Sequence, residues 1–172
     1  SSLPARNLDR HARPRDGLAI LASRGTSGID GLVSSAAGAA LAWQRAGGGP
    51  AAALLGDLAL VHDSAGLMTG PDEPLPDLCL IVVNNDGGGI FSDLEQAAFP
   101  GPFERVFGTP HGTSVPDLAA AAGLPCARIE TAADLPGVLA GTGLRLAELR
   151  TSRAQGAALR VRLRAAALAA LE

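Results

Sequence analysis

Leu78-Cys79-Leu80-Ile81-Val82-Val83-Asn84-Asn85-Asp86-Gly87-Gly88-Gly89 decides how this chain folds. Six apolar residues run without a polar break and end on two carboxamides, a carboxylate and three glycines. A strand buried on both faces of a parallel sheet has this continuous pattern, whereas a strand with one wet face alternates. A shorter copy lies upstream, where Ala51-Ala52-Ala53-Leu54-Leu55 ends on Gly56-Asp57. As parallel strands of one sheet, the two runs place their carboxyl ends on the edge where open α/β sheets bind ligands. Asp57, Asn84, Asn85 and the glycines then converge there. Hard oxygen donors suit Mg²⁺, and glycines let backbone groups approach a phosphate closely. A lone Gly-Asp is also an ordinary turn, so the weight rests on the two turns together.

Working outward, turn and cap signals divide the remaining chain into alternating strands and helices. Leu18 to Ser23 reads as a first strand, ending in Arg24-Gly25-Thr26-Ser27-Gly28-Ile29-Asp30-Gly31. An Ala-rich helix follows from about Gly31 to Ala46, giving the strand, glycine turn and helix start of an anion site. Asp30 is read as the cap of that helix. Gly47-Gly48-Gly49-Pro50 stops it, and a short helix is expected around Asp63–Thr69 before a proline-rich connection. Phe99 to Gly112 is irregular, and long irregular loops in compact domains are often functional. Ser114 caps a helix through Ala122, Leu124–Ile129 is a fourth strand, and Thr131 with Asp134 resembles a capping box. Leu144–Leu149 is a fifth strand, and Thr151 or Ser152 caps a final Ala- and Arg-rich helix. This alternation predicts an α/β, doubly wound, three-layer sandwich with a mostly parallel sheet of five to six strands.

Composition narrows the function classes. The 172 residues fit one domain with a sizeable core. Mean hydropathy is +0.23, yet no run approaches the roughly 20 apolar residues of a membrane span. A cytoplasmic domain with no membrane partner is expected. Every basic residue is Arg; five lie in residues 1–24 and six in residues 145–172, while the middle of the chain is acidic. A net charge of −3 argues against nucleic-acid binding. Arginines near the start suit small carboxylate substrates, because the guanidinium fork matches a carboxylate. Cys79 and Cys126 match no metal or redox spacing and read as buried thiols.

Asp57 and Asn84 are separated by 26 residues, and here the chain resembles the thiamine diphosphate enzymes. Their diphosphate-binding domain carries Gly-Asp-Gly, a spacer of similar length and Asn-Asn. Leu58 departs from the third glycine. Gly-Asp-Leu, together with Arg24–Gly31 and Val83-Asn84-Asn85-Asp86-Gly87-Gly88-Gly89-Ile90-Phe91, is similar to the menaquinone-biosynthesis branch, the 2-succinyl-5-enolpyruvyl-6-hydroxy-3-cyclohexene-1-carboxylate synthases. The first residues, Ser2 to Arg6, also resemble the start of that branch's third domain.

The resemblance implies that residues 1–172 are a single diphosphate- and Mg-binding domain, a C-terminal fragment of a longer three-domain chain. It implies thiamine diphosphate with Mg²⁺ or Mn²⁺ as cofactors, and 2-oxoglutarate and isochorismate as substrates of a homodimer or homotetramer. Asp57, Asn85 and the Gly87 carbonyl would hold the metal. Ser27, Gly28, Ile29, Gly56, Leu58, Gly88, Gly89 and Ile90 would line the cofactor, with Ile29 as an apolar wedge and backbone amides near Leu58, Gly88 and Gly89 as phosphate donors. Ser2, Arg6, Arg24, Phe91 and Leu94 would meet substrate. No catalytic residue is expected in this chain, because the activating glutamate belongs to another domain, and the chain alone is expected to be inactive. Ala59, where relatives commonly carry Ser or Thr, would remove one phosphate contact.

Two other readings stay open on sequence. One is the same domain of an acetolactate synthase-like or 2-oxoacid decarboxylase enzyme, against which Leu58 and Arg24–Gly31 count. The other is a non-catalytic nucleotide- or subunit-binding module, although no Gly-x-Gly-x-x-Gly follows a strand. His62 reads as a packed or capping residue, Trp43 as core or interface, and the C-terminal arginines as a solvated helix face. His11 and His111 have no carboxylate or thiol partner nearby in sequence that suggests a triad or zinc site.

Overall fold

The computed structural model describes residues 2–23 and 25–171. Its centre is β2 (Leu78–Asn84), which hydrogen-bonds a parallel neighbour on each side. β1 (Ala51–Gly56) lies on one side and β4 (Leu144–Arg150) on the other, with β3 (Cys126–Ile129) beyond β4. The sheet is therefore four parallel strands in the order β1-β2-β4-β3. Side chains of β2 alternate between two cores. Leu78, Leu80 and Val82 join Leu55, Leu60, Leu67, Leu144 and Leu146 in the larger one, closed by helices α2 (Leu32–Arg45), α3 (Asp57–His62) and α5 (Val115–Ala121). Cys79 joins Ile129 and Ala147 on the opposite face, under Leu135 and Val138 of α6 (Leu135–Leu139). Helices on both faces of a parallel sheet explain why β2 carries no polar residue before Asn84.

The strand expected over Leu18–Ser23 does not form, which is why the sheet has four strands and not five or six. The segment is irregular and exposed, with Leu18 60%, Ile20 55% and Leu21 81% accessible. β1 pairs only with β2, and a helix unforeseen from sequence, α1 (Ser2–His11), lies against β1. An apolar run becomes a strand only where a partner takes its backbone groups.

Other boundaries shift for local reasons. The short helix starts at Asp57 itself and gives way to a 3₁₀ turn over Ser64–Leu67. Asp30 does not cap α2, whose N-cap is Gly31 at φ 64°. Instead the Asp63 carboxylate reaches across from the end of α3 and accepts the Ser34 amide (2.9 Å) and hydroxyl (3.2 Å). Ser114 and Ser152 cap α5 and α7 (Arg153–Ala169) through the Asp117 and Gln155 amides, and the Thr131–Asp134 capping box forms. The loop after Phe99 holds a helical turn, α4 (Pro100–Phe103), and a π-helical turn over Glu104–Gly108, closed by Thr109 N–H donating to Glu104 O (2.7 Å). Two arginines of α7 face inward: Arg153 pairs with Glu104 and Arg160 with Asp93, each at 2.8 Å. Val161 and Leu159 are left on the solvent side.

Candidate functional site

Parallel pairing brings the two polar turns together. Gly56 is in register with Val83, so Asp57 and the Asn84–Asn85 pair leave adjoining strands on the same edge. The two carboxamides then separate in role. Asn84 is structural: its Nδ2 donates to the buried Glu148 (2.7 Å), its Oδ1 accepts the Asp86 amide (3.0 Å), and its carbonyl accepts Thr151 N–H. Asn85 Oδ1 is buried with no hydrogen-bond partner. A buried oxygen without a donor is costly, so this atom fits a ligand that brings positive charge.

Asp57 is 2% exposed, and its carboxylate is already bonded. Oδ1 accepts Leu58 N–H (2.9 Å), and Oδ2 accepts Gly87 N–H (2.8 Å) and faces His111 Nε2 (3.2 Å). The turn that presents Gly87 permits only glycine. Its φ is 133°, and a side chain there would run into the Gly108 carbonyl. Among the described residues no group of three His, Cys, Asp or Glu is arranged to hold a metal ion, so the candidate donor set is one carboxylate plus neutral oxygens. Asp57, Asn85 Oδ1 and the Gly87 carbonyl offer hard oxygens carrying a single negative charge between them. That set fits Mg²⁺ or Mn²⁺ completed by phosphate oxygens better than a metal held by protein alone.

The expected phosphate donors are present but engaged within the chain. Leu58 N–H bonds Asp57, Gly88 N–H bonds Gly108 O (2.8 Å), and Gly89 N–H bonds Gly87 O (2.9 Å). Carbonyls of Phe107 and Gly108 sit over Gly88 and Gly87, so residues 104–109 cover the glycine turn. Phe91 is half-buried and packs on Phe107 with ring centroids 5.4 Å apart; Ile90 is half-buried and Leu94 exposed. Ala59 is buried beside Leu60 in the main core.

The remaining expected residues are spread more widely. Ser27, at φ 56°, and Gly28 form the half-buried turn before α2, while Ile29 packs against the main core. Leu3 of α1 packs on Gly89, which sets α1 beside the site; Ser2 begins that helix and Arg6 is exposed on it. Arg24 lies outside the described residues. His111, with no carboxylate or thiol partner nearby in sequence, finds Asp57 and Asp86 through the fold. Two sequence readings need correction. His62 is exposed, and Trp43 is 47% exposed and so not core. Asp86 accepts the backbone amides of Gly112 (2.8 Å) and His111 (3.0 Å), and these bonds hold its carboxyl below the usual range. Both cysteines are free, and burial pushes both thiols up.

Comparison with known proteins identifies the family. A family profile described as "Thiamine pyrophosphate enzyme, C-terminal TPP binding domain" matches residues 5–142. A protein from Thermobifida fusca named 2-succinyl-5-enolpyruvyl-6-hydroxy-3-cyclohexene-1-carboxylate synthase is 62% identical over 99% of this chain and 31% of its own length. Proteins of the same name from Saccharopolyspora erythraea and Nocardia farcinica are 47% and 46% identical over 99% and 96% of the chain, and 31% and 30% of their own lengths. The chain thus spans about a third of these relatives. A solved benzoylformate decarboxylase from Polynucleobacter necessarius shares the fold, with a TM-score of 0.60 at 22% identity over 74% of this chain and 24% of that one. By the family match, this chain belongs to the thiamine pyrophosphate enzymes, as their C-terminal TPP-binding domain.

Proposed function

We propose that the chain is the diphosphate- and cation-holding domain, the C-terminal part of a three-domain synthase that decarboxylates 2-oxoglutarate and adds the succinyl carbanion equivalent to isochorismate. The observation that carries this reading is the buried Asp57 beside the partnerless Asn85 Oδ1, on adjoining parallel strand ends. The names of the most similar relatives support the substrates, and identities of 46–62% favour the synthase over the decarboxylase alternative.

Thiamine diphosphate, when bound, supplies the electron sink. The chain's own residues bind and orient. Asp57, Asn85 Oδ1 and Gly87 O would hold Mg²⁺ or Mn²⁺, and the amides of Leu58, Gly88 and Gly89 would donate to phosphate oxygens. Gly56, Ser27, Gly28, Ile29 and Ile90 shape the cofactor's wall, and Phe91 and Leu94 exclude water. Ser2, Arg6 and Arg24 receive substrate carboxylates. The activating glutamate belongs to another domain, so this chain by itself does not turn over; the full-length protein works as a cytoplasmic homo-oligomer. No described helix is long and apolar enough to cross a membrane.

The test is a turnover assay of the full-length protein. Consumption of 2-oxoglutarate that yields the adduct only with isochorismate, and that is lost in Asp57→Ala, is the expected result. Turnover of pyruvate alone, with 2-oxoglutarate untouched, contradicts it.

A further inference from the structure

We propose that His111 is a positioning residue for the metal site: its imidazole donates to Asp57 Oδ2 and thereby aims Oδ1 at the cation. The inference rests on the cation reading of Asp57 given above.

Thr113 N–H donates to His111 Nδ1 (3.0 Å), so Nδ1 carries a lone pair and the ring proton of the neutral imidazole sits on Nε2. Nε2 lies 3.2 Å from Asp57 Oδ2, so it donates there and has no lone pair for a metal. A carboxylate offers about four acceptor positions. Gly87 N–H and His111 Nε2–H occupy those of Oδ2, and Leu58 N–H takes one on Oδ1. What remains is a single lone pair, on Oδ1, and its direction is set by the other three bonds.

The ring is itself held. Asp86 accepts the backbone amides of His111 and Gly112, and Gly112 turns at φ 59°. The His111 side chain is 14% exposed. Asp86 follows Asn85 directly, so the segment carrying the candidate carboxamide ligand also fixes the histidine that orients the carboxylate ligand. Partners one bond removed from a metal typically matter by about 10- to 100-fold in affinity.

The experiment measures Mn²⁺ uptake by the full-length protein in the presence of thiamine diphosphate, reading free Mn²⁺ by electron paramagnetic resonance. His111→Ala is expected to weaken Mn²⁺ by about 10- to 100-fold, and His111→Gln, whose amide can donate to Asp57, to recover part of that loss. In the wild type, ¹⁵N spectra with Mg²⁺ in place of Mn²⁺ should keep the Nε2-protonated ring, a readout that does not depend on the variants folding. Equal or tighter Mn²⁺ binding in His111→Ala, or a ring unprotonated at Nε2 in the loaded protein, overturns the proposal while leaving the cation site intact. A wild type that takes up no Mn²⁺, like an Asp57→Asn control, overturns both.

Discussion

Asp57 carries three hydrogen bonds before any cation arrives, and Asn85 Oδ1, behind the adjoining strand end, carries none. Under the proposed cation reading, that contrast separates a candidate ligand already oriented by its bonds from one whose oxygen is unpartnered. Gly87 links the two, since its amide holds Asp57 and its carbonyl is the third candidate ligand. Gly87→Ala is expected to cost at least about 2 kcal/mol, from a φ that non-glycine residues avoid and from collision with Gly108 O. An unchanged urea midpoint and slope would show that the turn relaxes without cost. Asp57 and Asn85 were legible in sequence because each follows an apolar run at a spacing set by one strand–helix–strand unit. His111 was not, because its partner lies 54 residues away and only the path of the covering loop brings them together.

The elements were legible where burial imposes a pattern on both faces. β2 is an apolar run because helices cover both its faces. β1 leaves alternate residues exposed, Leu54 at 42%, and β4 buries Arg145 and Glu148 among its apolar residues. Ser114, Ser152 and the Thr131–Asp134 box were visible as cap chemistry. Leu18–Ser23 has the composition of a strand but no ladder, a property of its neighbours that its own residues do not encode. α1 was missed because only Leu3 and Pro4 are buried in it. The short α6 depends on its entry turn. Amides of Thr131 and then Glu130 hold Asp134 below its ordinary 3.8, so the folded state favours the carboxylate. Its contribution is present above that ordinary value and is lost as pH falls through the lowered folded one. Asp134→Asn should therefore flatten the fall of melting temperature on the acid side of about pH 4; a slope equal to that of the wild type would remove the box from the account.

At the scale of the molecule, one parallel sheet sets two polar turns side by side and a third segment, residues 104–113, folds over them. Phe107 on Phe91, Arg153 on Glu104 and Asp86 under His111 and Gly112 hold that cover in place. Of the glycine turn's amides, Gly88 N–H bonds the cover at Gly108 O, while Gly87 and Gly89 N–H bond Asp57 and Gly87 O; on the proposed reading, a phosphate oxygen would take the place of Gly108 O. The candidate donor set is one carboxylate and neutral oxygens, so under the proposed reading a diphosphate would supply the rest of the charge balance. The most direct measurement is anomalous diffraction from crystals of the full-length protein grown with thiamine diphosphate and Mn²⁺. A manganese peak at about 2.0–2.3 Å from Asp57 Oδ1, Asn85 Oδ1 and the Gly87 carbonyl is the result predicted. A peak bound through other residues, or none with the diphosphate in place, would contradict it.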